Sequence, residues 1–532
     1  MKYNDYLWWH KGVIYQIYPR SYKDSDQDGV GDLRGIIEKL DYLKELGVDG
    51  VWVSPIYPSP MADFGYDVSD YTGIHPLFGN MEDFDDLLKE VHQREMKLIL
   101  DLVPNHSSNE HPWFRESRSS KDNPKRDWYI WKDPAPNGGP PNNWLSVFGG
   151  PGWEYDEATG QYYYHAFLKE QPDLNWRNPE VQKAMLDVMR FWLEKGVDGF
   201  RVDVMWHMVK DDQFRDDPPN PDYNDRMNSY SRQIPAFSTD QDEVHDVVHK
   251  MRRVIDDYDE RLLIGEIYLP ISKLVRYYGE DNRGAHLPFN FQLLQLPWDA
   301  AKIEAAISEY EGALPEHGWP NWVLGNHDNS RIASRVGKEQ ARVAAMLLLS
   351  LRGTPTIYYG DELGMEDVEI PKEKIQDPQA LNEPGVGRSR DPERTPMQWD
   401  DSKNAGFTTG EPWLPLMENY RELNVEKQWN QEGSMLQLHR KLLELRAKEP
   451  ALHIGKYNPV PAANGNLLAY LREYEQEKFL IVLNLGASEE IFEPEFQWQG
   501  TVKIATHKER EGEKLKQKIT IAANQGLLIK LD

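Results

Sequence analysis

The chain has 532 residues, no cysteine and a formal charge of -27, from 61 Lys and Arg against 88 Asp and Glu. That balance argues against nucleic acid or an anionic membrane as partner, and the missing thiols exclude a disulfide framework and cysteine chemistry. The N-terminal MKYNDYLWWHKG has no apolar run of signal-peptide length, and no stretch reaches the roughly 18 apolar residues of a membrane span, so a soluble cytoplasmic protein is the expectation.

Short apolar segments alternate with helical patterns along the first four-fifths of the chain. Residues 12–19 read as a strand. Leu33, Ile36, Ile37, Leu40, Leu43 and Leu46 then fall at helical spacing, and Gly47 ends that helix. A strand follows at 50–57, a helix at 81–94 and a third strand at 97–104. Residues 105–174 interrupt the alternation with Pro, Gly, Asn and aromatics, and with hairpin-like pieces such as 161–166. A helix at 181–195, a strand at 199–204 and a helix at 242–257 resume it. Further strands are expected at 262–268, 287–293, 319–327 and 354–359, with weaker helical patterns after Glu266. Eight βα units imply a parallel sheet closed into a barrel. A Pro-rich segment, 364–430, follows, and a helix at 433–448 would close the ring. From about 455 the pattern becomes strand-only, as at 479–485 and 518–531. The expected architecture is a (β/α)8 barrel (1–104 and 175–454), a domain inserted after its third strand (105–174) and a C-terminal all-β sandwich (455–532).

The polar residues fall at the C-terminal ends of the strands, where barrels of this kind gather their active sites. Those ends carry Asn105-His106, Asp203, Glu266 and His327-Asp328. In the strand at 199–204, Arg201 and Asp203 leave on one side and Phe200, Val202 and Val204 on the other; two residues span roughly 6.5 Å. A fixed cation so near should hold the Asp203 carboxyl ionised. One charged strand end is unremarkable, but several converging ends are not explained by stability.

These stretches resemble the motifs of the α-amylase family, family 13 of the glycoside hydrolases. Asp101-Leu-Val-Pro-Asn-His106 is similar to its first region, 199–204 to the second, Glu266 in Ile-Gly-Glu-Ile to the third, and Asn326-His-Asp328 to the fourth. Gln171-Pro-Asp-Leu-Asn175 resembles the short region of the oligo-1,6-glucosidase and α-glucosidase branch. The resemblance implies retaining hydrolysis, with Asp203 as nucleophile, Glu266 as acid/base and Asp328 stabilising the transition state. By matching position it also implies sugar contacts from Asp63, Tyr66, His106, Arg201, His327 and Arg394, with Phe148 and Phe167 as aromatic walls. The bland reading of each aromatic is ordinary core, and of each histidine a satisfied structural one.

Asp24, Asp26, Asp28 and Asp32 alternate around Gly29 in the rhythm of an oxygen-lined Ca²⁺ loop, but position 35 is Gly where an EF-hand needs Glu. The loop resembles the calcium loop of the same branch, with Val30 giving its carbonyl. The acidic stretch 211–242, with Asp211, Asp212, Asp216, Asp217, Asp222 and Asp225, reads as a solvated loop without chemistry.

The long loops suggest a pocket and exo-acting removal of glucose from short α-glucosides. In this branch Val204 goes with α-1,6 linkages, whereas the Ile-Tyr-Leu-Pro after Glu266 departs from the commoner pattern. A transglucosidase or trehalose-converting enzyme would share every motif. A non-catalytic transporter-associated subunit of this fold would be membrane-anchored, so the missing membrane segment and the intact Asp203, Glu266 and Asp328 argue against it, and starch binding alone would not require a carboxylate pair. Oligomeric state is not legible.

Overall fold

In the computed structural model, which describes residues 3–532 apart from 225, 386–387 and 463–464, the eight expected barrel strands form one parallel sheet. They are β1 (Ile14–Ile17), β2 (Gly50–Val53), β3 (Lys97–Leu102), β4 (Gly199–Val202), β5 (Leu262–Gly265), β6 (Leu287–Pro288), β7 (Asn321–Val323) and β8 (Thr354–Tyr358). Their order is β7-β8-β1-β2-β3-β4-β5-β6. Every second residue enters the barrel: Ile14, Trp52, Ile99, Leu262, Ile264 and Val323 share one buried cluster. Their alternates, including Tyr15, Val51, Leu98, Leu100, Phe200 and Val202, pack outward into the core shared with the helices. This inside-and-outside burial is why the strands read as continuous apolar runs.

Within the barrel the structure departs from the sequence reading at three places. The ladder is open between β6 and β7. Pro288 has no N–H to give, and the seam is bridged by the Asn321 side chain, which accepts from the Asn290 N–H at 2.9 Å and donates to the Pro288 carbonyl. The strand expected at 319–327 ends at Val323, and its last residues turn out into the site. The helix expected at 33–46 is two, Leu33–Glu38 and Leu40–Leu46, because the Lys39 N–H bonds to Ile36 and Ile37 in a tightened turn. Gly47, at φ 98, stops the second as expected. The helix Pro179–Lys195 leading into β4 has a matched pair of ends. Asn178 caps it by accepting from the Glu180 N–H, and Gly196, at φ 110, stops it.

Residues 105–174 carry a helix, Pro112–Ser119, and a three-stranded sheet of Trp131–Lys132, Gln161–Tyr164 and Trp153–Asp156. The C-terminal part is antiparallel throughout: a six-stranded sheet and a two-stranded ladder, Glu490–Phe492 with Ile519–Ile521. The strand expected at 518–531 is broken by a turn at Asn524 (φ 56), so its halves enter different sheets. Along Glu477–Asn484, Phe479, Ile481 and Leu483 face the barrel side and Leu480 and Val482 the inter-sheet core. Among the described residues no helix is long and apolar enough to cross a membrane.

Candidate active site

Strand register brings the first charged group together. Asp101 on β3 is the direct neighbour of Arg201 on β4, and Val202 pairs with Gly265 on β5, so Asp203 and Glu266 leave adjacent strand ends. The Arg201 guanidinium, 1 % exposed, binds three carboxylates at once. It reaches Asp101 Oδ1 at 2.7 Å, Asp203 Oδ1 at 2.9 Å and Glu266 Oε2 at 2.6 Å. The Asp203 and Glu266 carboxyls are thus held side by side on one guanidinium.

Val204, directly after Asp203, adopts φ 36, ψ 48. A β-branched residue in that left-handed region carries strain on the order of 1–3 kcal/mol. What holds it is polar: the Val204 N–H donates to Glu266 Oε2 at 2.9 Å, and the Met205 N–H to the Glu266 carbonyl at 3.2 Å. The turn therefore fixes the Glu266 carboxyl against Asp203.

One cation cannot neutralise three buried carboxylates, and burial dominates. It pushes Asp101 up to about 6 against the pull of Arg201. It pushes Asp203 well above the usual carboxylate range, with Glu266, Asp101 and Asp328 adding to the effect. Glu266 is raised as well, by burial and by Asp328. Arg201 by itself thus does not hold Asp203 ionised, contrary to the sequence expectation. Asp203 and Glu266 titrate as a pair able to share one proton. Asp328 behaves oppositely: burial disfavours its charge, but His327, Arg394 and Arg390 hold it well below the ordinary range.

A second network closes the far end of the site. Arg390 joins Asp63 at 2.8 Å, Asp377 at 2.7 Å and Asp328 at 3.3 Å, and its guanidinium lies 4.8 Å over the Phe148 ring. Arg394 donates to the His327 carbonyl at 2.7 Å and to Asp328 at 2.8 Å. Gln171 spans Asp63 at 3.2 Å and His106 at 3.1 Å. His327 stacks on Tyr66 at 5.4 Å, and its Nδ1 takes a 2.8 Å bond from Gln16 of β1. Burial keeps its imidazole neutral, so its Nε2 hydrogen is free for Asp328 or the Tyr66 hydroxyl. Ion pairs around the blind end and carboxyls at the centre leave a cavity of about 370 Å³.

Asp63, Tyr66, His106, Phe148, Phe167, Asp203, Glu266, His327 and Asp328 all line that cavity, so both phenylalanines are walls rather than interior core. Arg201 and Arg394 stand behind the wall and act through the carboxylates they hold. Sequence reasoning missed Trp206, His207, Tyr268 and Arg390, which also line it, and Gln171, which bridges two of its residues. For Arg390 a signal existed: it lies four residues before Arg394, and the single turn Asp391–Arg394 presents both to Asp328.

The acidic loop is solvated at Asp212, Asp216 and Asp222, which are exposed, but tied down at two of its acids. Asp211 pairs with Arg215 at 2.7 Å, and the buried Asp217 accepts from Ser238 Oγ at 2.6 Å and the Phe237 N–H at 2.7 Å. Asp225 lies outside the described residues. After β1, oxygen atoms of Asp24, Asp26 and Asp28 lie within 4.8 Å of one another. Asp32 caps the helix Leu33–Glu38, accepting from the Gly35 N–H at 2.7 Å and from Ser25 Oγ at 2.8 Å.

A sequence model described as the alpha amylase catalytic domain matches residues 16–455. An oligo-1,6-glucosidase of Parageobacillus thermoglucosidasius is 42 % identical over 523 residues, 91 % of this chain and 92 % of that protein. A trehalose-6-phosphate hydrolase of Bacillus subtilis (strain 168) is 40 % identical over 554 residues, 96 % of each. Among solved structures, an alpha-glucosyl transfer enzyme superimposes with a TM-score of 0.94 at 40 % identity, covering 99 % of this chain and 100 % of that one. The trehalulose synthase of Pseudomonas mesoacidophila does so with a TM-score of 0.91 at 36 % identity, covering 99 % of both.

Proposed function

The chain belongs to the α-amylase family of glycoside hydrolases, and from that premise we propose that it is a retaining, exo-acting α-glucosidase releasing glucose from short α-1,6-linked substrates. The observation that carries the reading is the Asp203–Glu266 pair at the centre of the pocket, held on adjacent strand ends by the one Arg201 guanidinium at 2.9 Å and 2.6 Å. An inverting enzyme needs its two carboxyls about 6.5–9.5 Å apart to seat a water, whereas a retaining pair stands about 5–5.5 Å apart.

In the first step Asp203 attacks the anomeric carbon while Glu266 gives its proton to the departing glycosidic oxygen. The shared proton suits this division. Positive charge developing at the anomeric carbon favours the carboxylate on Asp203 and leaves the proton on Glu266. Glu266 then takes a proton from water, which attacks the glucosyl ester and frees Asp203. Asp328, kept ionised by Arg394 and Arg390, accepts hydroxyl hydrogens of the bound glucose and stabilises the cationic transition state. Asp63 and His106, joined by Gln171, bind hydroxyls at the far wall. The Asp63–Arg390 ion pair blocks passage beyond one glucose, which supports exo action.

The choice of α-1,6 linkage rests on Val204 and on the several oligo-1,6-glucosidases among the relatives. The test is glucose release from isomaltose, maltose, trehalose, sucrose and soluble starch. Isomaltose is expected to be turned over well and starch hardly at all, with α-glucose as the first anomer released; preference for starch or release of β-glucose overturns the reading. Transfer of glucose to a second sugar uses the same residues, and the similarity to a glucosyl transfer enzyme makes it the second reading, told apart by products at high sugar concentration.

The loop after β1 suits a structural Ca²⁺, held by Asp24, Asp26 and Asp28 with the Val30 carbonyl and Asp32. Three clustered carboxylates fit it, and among the described residues Asp26 and Asp28 have no cationic side chain paired with them. Burial and the neighbouring acids Asp28, Asp32 and Asp24 raise Asp26, a repulsion that a cation would relieve. Asp24 also accepts from Thr408, so the ion would fasten this loop to a distant strap. Chelation should lower Tm by about 3 °C, the loss of roughly 2.7 kcal/mol of linked binding. An unchanged Tm at matched ionic strength removes the metal from the account.

A further inference from the structure

Gln16 is a polar side chain in an apolar place. It stands on β1, in register with Trp52 of β2, and is fully buried. Ile14, two residues earlier on the same face, belongs to the apolar cluster inside the barrel. The Gln16 amide nitrogen gives its two hydrogens to His327 Nδ1 at 2.8 Å and to Ser54 Oγ at 3.3 Å. Its oxygen has no partner among the described residues. A buried acceptor left bare is costly, so stability alone favours an apolar side chain here. The amide nitrogen is what the site keeps.

The hydrogen bonds around His327 show why. The ring stacks on Tyr66 at 5.4 Å and on Tyr18 at 5.6 Å. Its Nε2 faces Asp328 Oδ2 at 3.2 Å and the Tyr66 hydroxyl at 2.8 Å. Both are acceptors there. Asp328 is ionised, and the Tyr66 hydroxyl hydrogen goes to Asp101 at 3.0 Å. Burial, with Arg394, Arg201 and Arg390 nearby, keeps the imidazole neutral against the pull of Asp328, so it carries a single hydrogen. Two acceptors at Nε2 place that hydrogen on Nε2 and leave a lone pair at Nδ1. Only a donor can meet that lone pair. A reversed amide would set oxygen against it and strand two hydrogens instead of one oxygen.

Asp328 depends on the placement. Arg394 and Arg390 hold its Oδ1, at 2.8 Å and 3.3 Å, and the His327 Nε2 hydrogen holds its Oδ2. With the hydrogen on Nδ1, lone pairs would meet at Oδ2 and turn the carboxylate away from the bound glucose. We infer that Gln16 is a positioning residue that, from inside the barrel, holds His327 in its Nε2–H tautomer and so aims Asp328 at the sugar; this rests on the α-glucosidase reading above.

The test uses protein labelled with ¹⁵N-histidine, in which protonated and bare ring nitrogens resonate far apart. The His327 signals are those lost in His327→Gln. The wild-type ring should show a protonated Nε2 and a bare Nδ1; a proton on Nδ1 overturns the assignment without any variant. Gln16→Met keeps the bulk and removes the donor. Its kcat on isomaltose should fall about tenfold, the worth of one buried hydrogen bond, with KM changed by about threefold at most, because Asp328 acts chiefly in the transition state. A kcat within about twofold of wild type overturns the assignment. Gln16→Glu separates positioning from packing. A protonated carboxyl donates as the amide does, so the wild-type spectrum and the wild-type kcat should survive together. An ionised one draws a proton onto Nδ1, and kcat should fall with that signal. Activity that follows Tm and not the Nδ1 signal marks Gln16 as packing and overturns the inference. A wild-type protein inactive on every α-glucoside would instead sink the underlying reading, and its spectrum would still judge the tautomer.

Discussion

Asp203→Asn is expected to lower kcat on isomaltose by about 10⁴-fold or more while the protein stays folded. Loss of an attacking group typically costs that much, because what remains is binding and electrostatics. Asparagine keeps the shape and can still accept from Arg201, so the 2.9 Å contact survives. What it removes is one of three carboxylates crowded on a single guanidinium. Burial and mutual repulsion already oppose charge on Asp203, so Tm should hold or rise slightly, the pattern of a site strained for function. Activity within tenfold of wild type would show that Asp203 is not the nucleophile. A collapse in Tm would show instead that the ion cluster is a structural necessity.

The barrel was legible in the sequence because strands buried on both faces read as apolar runs, and eight of them recurred with helices between. The catalytic carboxylates were legible for a related reason: Asp203 and Glu266 break those runs at their ends. What stayed hidden depends on through-space partners. The β6–β7 seam is bridged by the Asn321 side chain, which no periodicity announces. Arg390 looks like any loop arginine until Asp63, 327 positions earlier, is placed beside it. His207 sits in a short apolar stretch, and what sets it apart is its place in the cavity wall with no partner for Nδ1 among the described residues. The electrostatic expectation for Asp203 failed because the sequence shows one nearby cation but not the two further carboxylates that share it.

Glu266→Gln is expected to separate the two jobs of the acid/base. On isomaltose, whose departing alkoxide needs a proton, kcat/KM should fall about 10³-fold, within the usual range for a lost general acid. On an aryl α-glucoside that leaves as a stable phenolate, kcat/KM should fall much less, because the first step no longer waits for a proton. Its kcat should still drop, since water must attack the glucosyl ester without a base. The substitution is a clean one here: glutamine oxygen can accept the Arg201 bond at 2.6 Å and the Val204 N–H bond at 2.9 Å. The strained turn at Val204 therefore keeps its support. The pH profile gives an independent check. In the wild-type protein kcat/KM on isomaltose should be bell-shaped, reporting the coupled Asp203–Glu266 pair in the free enzyme. On the acid side Asp203 protonates and cannot attack. On the alkaline side Glu266, raised by burial and by Asp328, loses the proton it must donate. Glutamine has no proton to lose, so the alkaline limb should disappear on the aryl substrate while the acid limb remains. Persistence of the alkaline limb, or equal losses on both substrates, would move the proton donor to another group in the pocket.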